Sequence, residues 1–446
     1  MISFPDLKLD KKFITACLML AFPVIIQNLV VFGNDNLLVA ILGTLSDKAI
    51  SGYTIANESY SIYYMIALGL SGGFHVYISQ LYASKNYTKC NQILRMGTKL
   101  IILIGLVFSS FFFFFAKPFV NIFISDPQMV EYAVQYLRIY SWSLLFYGIN
   151  VMWAEMFTYI GSAKFSFFGS CIECLTTLVS TLLFVKVLDY GIAGVALGIL
   201  LGRIVQTIYL FILINWKDSK FKFSVKYPKL DGNEIVKIIK ISLPLIANET
   251  LYSIAFMFIV KNFSFIDERK IACYTVVNNS KKLFFTVNYA LHPAVASLIG
   301  KNLGVGNYDE AIEHSNDILV IILYFQIIFS SIMFALSNVI PGWFSLQGEI
   351  AQICSKMLRA EALYGIFVVY QNITYVILKI GADTKHVFIL DGLFSFLCPM
   401  VLTFICAYFL KTSFYVTWIL FEGTYILKAA IGLFFYFKGT WIRRLS

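Results

Sequence analysis

Residues Phe13 to Gly43 read FITACLMLAFPVIIQNLVVFGNDNLLVAILG and hold a single charged side chain, Asp35. As a helix, a run this long and this apolar more than crosses a hydrocarbon layer of about 30 Å. Comparable stretches recur from here to Phe437. The composition agrees: 59% of residues are hydrophobic, 13% are charged and the mean hydropathy is +0.77, whereas soluble domains carry about 25% charged residues. No soluble core would bury so much apolar surface. The runs are near-continuous rather than alternating, so each satisfies its own backbone as a helix and not as a barrel strand. The fold class is therefore an all-α integral membrane protein.

Twelve spans are expected, beginning near Phe13, Ile50, Ile93, Met129, Phe165 and Gly191, then Ile235, Lys270, Ser315, Ala351, Val387 and Phe414. Lys8, Lys11 and Lys12 precede an apolar run that continues past Leu29 without a small-residue cleavage site, so the first span is read as part of the protein rather than as a signal peptide. With this count, residues 1–12, 83–99, 161–164, 216–240, 301–314, 379–386 and the tail lie on one side and hold about three times the Lys and Arg of the other loops. Both termini are then expected to be cytoplasmic, in a multi-pass protein of the cell membrane. The net charge of +10 concentrates in those loops, most densely from Lys217 to Lys240. Orientation and an anionic leaflet explain it without a nucleic-acid partner.

The chain repeats itself. An offset of 221 residues carries Asp10 onto Asp231, Pro23 onto Pro244, Tyr53-Thr54 onto Tyr274-Thr275, Asn57 onto Asn278, Asn86-Tyr87 onto Asn307-Tyr308 and Leu137-Arg138 onto Leu358-Arg359. Gly161 matches Gly381 with a one-residue slip. Six helices per repeat return the chain to its starting side, which predicts two parallel six-helix bundles related by a pseudo-two-fold axis along the membrane normal. The expected lobes are residues 1–215 and 234–446, joined by a basic cytoplasmic linker over residues 216–233. Such lobes would enclose a cavity that rocking opens to either side, an alternating-access arrangement complete in one chain and able to act as a monomer.

Several segments together resemble the multidrug and toxin compound extrusion (MATE) family, within the multidrug/oligosaccharidyl-lipid/polysaccharide exporter superfamily. They are Pro23, Asp35-Asn36-Leu37-Leu38-Val39-Ala40-Ile41-Leu42-Gly43, Gly69-Leu70-Ser71-Gly72 through Gln80, and Gly191-Ile192-Ala193-Gly194-Val195-Ala196. The likeness extends over nearly the whole chain and rests on order, spacing and duplication. It implies an exporter of drugs, toxins or metabolites driven by inward flow of protons or sodium ions, with the coupling ion carried at Asp35. It further implies an asparagine and an aspartate on the fifth helix and a threonine on the sixth, which appear here as Thr177, Thr181 and Ile199. Glu173, one turn before Thr177, is a candidate replacement for the missing carboxylate.

The residues point to Asp35 independently. An ionised carboxylate within a span costs about 2.5–3.5 kcal/mol on insertion scales, so it either takes a proton or is held by a cation such as Na+, with help from Asn34 or Asn36. Pro23 removes a backbone donor in the first span and Pro244 does so in the seventh, which makes both candidate hinges. Glu249, five residues after Pro244, is a further ion-site candidate. Lys281 and Lys282 fall inside the eighth span and need partners. One of them paired with Glu249 would be neutralised. Both facing a cavity would favour anionic cargo, as in a flippase of lipid-linked oligosaccharide, the alternative reading. Arg203, Glu422 and Lys428 pose the same question. Tyr53, Asn57, Tyr252, Tyr274 and Asn278 are candidate cavity residues.

Other chemistry is not supported. No G-x-x-x-x-G-K-[ST] loop is present for ATP, the four histidines are scattered, and Cys171 and Cys174 read as packing rather than a redox pair. The expected protein is a transporter rather than an enzyme, with no cofactor beyond H+ or Na+, and its partners are a small-molecule substrate and membrane lipid.

Overall fold

The computed structural model describes residues 11–45, 49, 53, 56, 60–121, 127–216, 232–267, 270–344 and 346–442. Among them the secondary structure is helical. The long elements are α1 (Lys11–Gly43), α2 (Ser61–Ala83), α3 (Tyr87–Val120), α4 (Pro127–Tyr159), α5 (Ala163–Val187) and α6 (Gly191–Asn215). After residues 217–231, which are outside the described set, follow α7 (Gly232–Ile266), α8 (Ile271–Phe284), α9 (Thr286–Val305), α10 (Tyr308–Leu336), α11 (Gly348–Ile380), α12 (Thr384–Tyr408) and α13 (Phe414–Lys438).

Ten of the described helices are long and apolar enough to cross a membrane, or eleven when α8 and α9, bent by 49° at Phe285, are taken as one broken span. The twelfth expected span is α4, which is long enough but falls below that apolarity. It carries Glu131, Arg138 and Glu155 among tyrosines and amides. Large apolar side chains stay on the outside, Phe114, Phe409, Met19 and Val187 among them. Of the five phenylalanines from Phe111 to Phe115 only Phe112 is buried. In a bilayer such groups face acyl chains at no cost.

The chain divides into two compact units. The first is Phe22–Ser242, and the second comprises the first helix as far as Ala21 together with Leu243–Ser446. Both boundaries lie within helices, two residues before Pro23 and Pro244 respectively when the last residue of the preceding unit is counted, and so fall at the repeat interval. In the first unit, α7 contributes its start: a Cβ on Gly73 of α2 would come within 2.1 Å of Ser242 Oγ. In the second, the start of α1 stacks Phe13 on His314 of α10, with ring centroids 4.2 Å apart.

The repeat is visible in backbone conformation as well. Lys85 and Gly306, one offset apart, both close a helix in the left-handed region with φ of 61° and 85°. Gly161 and Ala382, again one offset apart, do the same with φ of 82° and 57°. The structural partner of Gly161 is thus Ala382, and the slip onto Gly381 suggested by residue identity is not needed. Gly381 has a separate reason to be glycine, because a Cβ there would meet the Trp441 carbonyl at 2.0 Å.

Without a hydrophobic force between helices in lipid, close approach and polar contacts hold the helices of each unit together. The glycines at 194, 198 and 202 seat α6 on α5: a Cβ at Gly198 or Gly202 would stand 2.1 or 2.0 Å from the hydroxyls of Thr181 or Thr177. Asn150 of α4 donates to the Arg203 carbonyl at 3.0 Å and accepts from Thr207 at 2.6 Å, tying α4 to α6. In the second unit Asn288 donates to Gln326 at 2.6 Å, and Gln326 donates to Ser330 at 2.8 Å.

Candidate functional site

Each unit buries a base among carboxylates. In the first unit the base is Arg203 of α6, 6% exposed. Its guanidinium donates to Ser143 Oγ at 2.8 Å, to the Tyr64 hydroxyl at 2.5 Å and to the Tyr140 hydroxyl at 2.7 Å. The rings of Tyr140 and Tyr147 lie 4.9 Å away and that of Tyr64 5.8 Å. Its Nε stands 3.7 Å from Glu173 Oε1. A planar, weakly hydrated cation suits such a cage, because its edge hydrogen-bonds while its face stacks. α5 and α6 thus bring one carboxylate, Glu173, to the guanidinium.

Asp35 is exposed in the second half of α1. The side chain of Asn36 and the whole of Asn57 lie outside the described residues. Thr177 and Thr181 are buried against the glycines of α6, so the face they share with Glu173 is the packing seam of that helix pair. Tyr53 is nearly buried, edge-on to Tyr136 at 5.2 Å. Cys171 and Cys174 are free thiols.

The second unit contains a cavity of about 620 Å³. Aromatic walls come from Tyr252 and Phe256 of α7, Tyr274 of α8, Tyr289 of α9 and Phe421 and Tyr425 of α13. Polar groups come from Thr275, Asn278 and Asn279 on α8 and from Gln371 and Asn372 on α11. The broken α8–α9 span places successive side chains of α8 on this wall, and Lys281 and Lys282 both line it.

Lys281 does not pair with Glu249. Its ammonium lies 2.8 Å from Glu361 Oε1 of α11 and 3.5 Å from Glu422 Oε1 of α13, both carboxylates being fully buried, with the Tyr425 ring 5.1 Å away. Glu249 instead accepts from the Tyr375 hydroxyl at 2.7 Å, and Lys379 sits 5.6 Å over the same ring. Lys428 is 3% exposed and pairs with Asp391, donates to Ser395 at 3.0 Å and lies 5.5 Å over Tyr252. Asp391 also accepts from Asn248 at 3.1 Å. Glu361 and Asp391 were missed from sequence. Each is a lone carboxylate within an apolar span, which is the signal that singled out Asp35 and Glu422.

The comparisons agree with this duplicated architecture. The MatE family model matches twice, over residues 23–183 and 244–405, the two matches starting at the prolines one repeat apart. A probable multidrug resistance protein NorM of Thermotoga maritima is 18% identical across 95% of this chain and 92% of its own. Multidrug and toxin extrusion protein 1 of Danio rerio is 21% identical across 81% of this chain and 61% of its own. Among solved structures, a MOP superfamily transporter from Pyrococcus furiosus, described as having a binding pocket of reverse polarity, superposes with a TM-score of 0.88 at 14% identity, covering 95% of this chain and 96% of that one. With the two family matches spanning most of the sequence, the chain belongs to the MatE family of multi-pass membrane transporters and is not an enzyme.

Proposed function

We propose that this transporter exports amphipathic small molecules across the cell membrane, in exchange for H+ or Na+, by alternating access within a single chain whose termini are cytoplasmic. The observation that carries the reading is the duplicated family match laid over two units that each bury a charged cluster inside membrane helices. Relatives named as multidrug resistance and multidrug export proteins support a drug-like cargo. The cavity volume of about 620 Å³ is that of a site for a drug-sized ligand, which favours a small molecule over a lipid-linked oligosaccharide.

Asp35 and Glu173 are the ion-carrying groups in this reading. Glu173 stands 3.7 Å from the Arg203 guanidinium, and Asp35 lies within a membrane helix, where an ionised carboxylate is costly and a proton or a sodium ion offsets that cost. Pro23 and Pro244 act as hinges: each sits just inside a unit boundary, where a missing backbone hydrogen bond lets the helix bend.

Efflux from proteoliposomes tests this. A panel of fluorescent amphiphiles of both charges is loaded, and a proton gradient and a sodium gradient are imposed separately. Export driven by one gradient, with Asp35→Asn reducing the coupled rate by about tenfold or more, is the expected result. Equal gradient-driven export by the mutant would remove Asp35 from the mechanism, and export indifferent to either gradient would remove antiport.

A further inference from the structure

A cavity selects its ligand by the charges a solute meets there. In the second unit Glu249 and Asp391 line the cavity; Asp391 has Lys428 and Asn248, Glu249 accepts from the Tyr375 hydroxyl, and Glu361 and Glu422 lie fully buried and share Lys281. An organic cation that took Asp391, Glu361 or Glu422 would leave a buried base alone, which is costly; Glu249 is the carboxylate on this wall to which that cost does not apply, so ethidium is the comparison that weighs it.

Lys282 differs from every other base on this wall. It lines the cavity and is exposed, and among the described residues no carboxylate, hydroxyl or aromatic ring partners its ammonium. Lys281 beside it is anchored at 2.8 Å to Glu361, which prevents the two lysines from sharing one counter-ion. The same cavity is lined by the amides Asn278, Asn279, Gln371 and Asn372 and by the tyrosine and phenylalanine rings described above; the nitrogens of Asn278, Gln371 and Asn372 each make one hydrogen bond, to the Tyr274 carbonyl, Asn372 Oδ1 and the Val368 carbonyl, and keep a second N–H to donate.

We propose that this cavity is a binding site for an amphipathic organic anion, an aromatic carboxylate or sulfonate, whose charge pairs with Lys282 while its ring packs on the tyrosines. A single ammonium with amide donors matches one anionic group, and the apolar walls match the remainder of a molecule of drug size. The proposal rests on the exporter reading for its role as a cargo site, and it narrows the cargo to anions. Lys282 is a binding residue here, and the buried Lys281 cluster is the scaffold that holds α8, α11 and α13 around it.

Equilibrium dialysis of the purified full-length protein in detergent tests this without any gradient. The probes are dansylate, an aromatic sulfonate, and dansylamide, its uncharged analogue, with ethidium as the cationic comparison. Dansylate is expected to bind at least about tenfold more tightly than dansylamide. Lys282→Gln should abolish that preference and Lys282→Arg should keep most of it, while both variants retain the thermal unfolding midpoint of the parent. Three results would overturn the proposal: equal binding of dansylate and dansylamide, tighter binding of ethidium, or an anion preference that survives Lys282→Gln. Because dialysis reads binding alone, failure here leaves gradient-driven export standing. Binding that depends on Lys282, in a protein that shows no coupled export, would remove the exporter reading and leave the anion site.

Discussion

The two units solve the same problem in different ways. Each brings a base into the membrane interior beside acidic side chains, Arg203 with Glu173 in one, Lys281 with Glu361 and Glu422 in the other. The arginine is surrounded chiefly by neutral groups, three tyrosines and a serine, with its carboxylate at 3.7 Å. The lysine touches two fully buried glutamates, one at 2.8 Å. A guanidinium spreads its charge over a plane that phenols and rings can satisfy. An ammonium is a compact charge that needs acids, and once it has them it is fixed in place. The first cluster can therefore exchange its acid partner more readily than the second, in keeping with the ion-coupling and cargo roles proposed for them above.

The largest effect should come from breaking the lysine cluster. Lys281→Met leaves two buried carboxylates without a base and should destabilise the protein by about 3–5 kcal/mol, seen as a lowered unfolding midpoint in detergent. Adding Glu361→Gln and Glu422→Gln should recover much of the loss. A single mutant as stable as the parent would show that the glutamates do not depend on Lys281.

Arg203→Lys keeps the charge but loses the fork and the stacking on three rings, and about 1–3 kcal/mol should be lost. An unchanged midpoint would show that the tyrosine cage does not discriminate between the two bases, and the contrast between the units would fail.

The smallest effect probes the repeat itself. Lys85 holds the left-handed conformation that Gly306 holds one offset later, so Lys85→Gly should stabilise by less than about 1 kcal/mol. Gly306→Ala should destabilise by about 1 kcal/mol. Opposite signs for the two would confirm that the turns are equivalent, and equal signs would break that equivalence.

Much of the fold was legible because bilayer helices announce themselves one at a time, through length and apolarity, and because a duplicated chain repeats its prolines and turn residues. Partnership was harder to read. Glu361 and Glu422 lie far along the sequence from Lys281, and the sequence of an almost wholly apolar helix does not say which way each face turns, so Glu249 stood as a nearer candidate partner. For the same reason Thr177 and Thr181 could be placed on the face of Glu173 but not assigned to the packing seam against Gly202 and Gly198. The Arg203 cage was hidden because Tyr64, Tyr140 and Tyr147 come from helices whose rotation only packing decides.

The positions at which the units divide also bear on biosynthesis. Phe13 leaves the ribosome long before His314, on which it stacks, and α2 is complete well before Ser242 arrives to close on Gly73. Neither half of the chain can therefore finish packing during its own insertion. The start of the first helix, a piece of the second unit, has to wait in the bilayer for α10 to be made, which leaves a long interval in which a protease or a quality-control factor meets it unpacked. Cutting the gene at the midpoint would yield two fragments that each lack a piece held by the other.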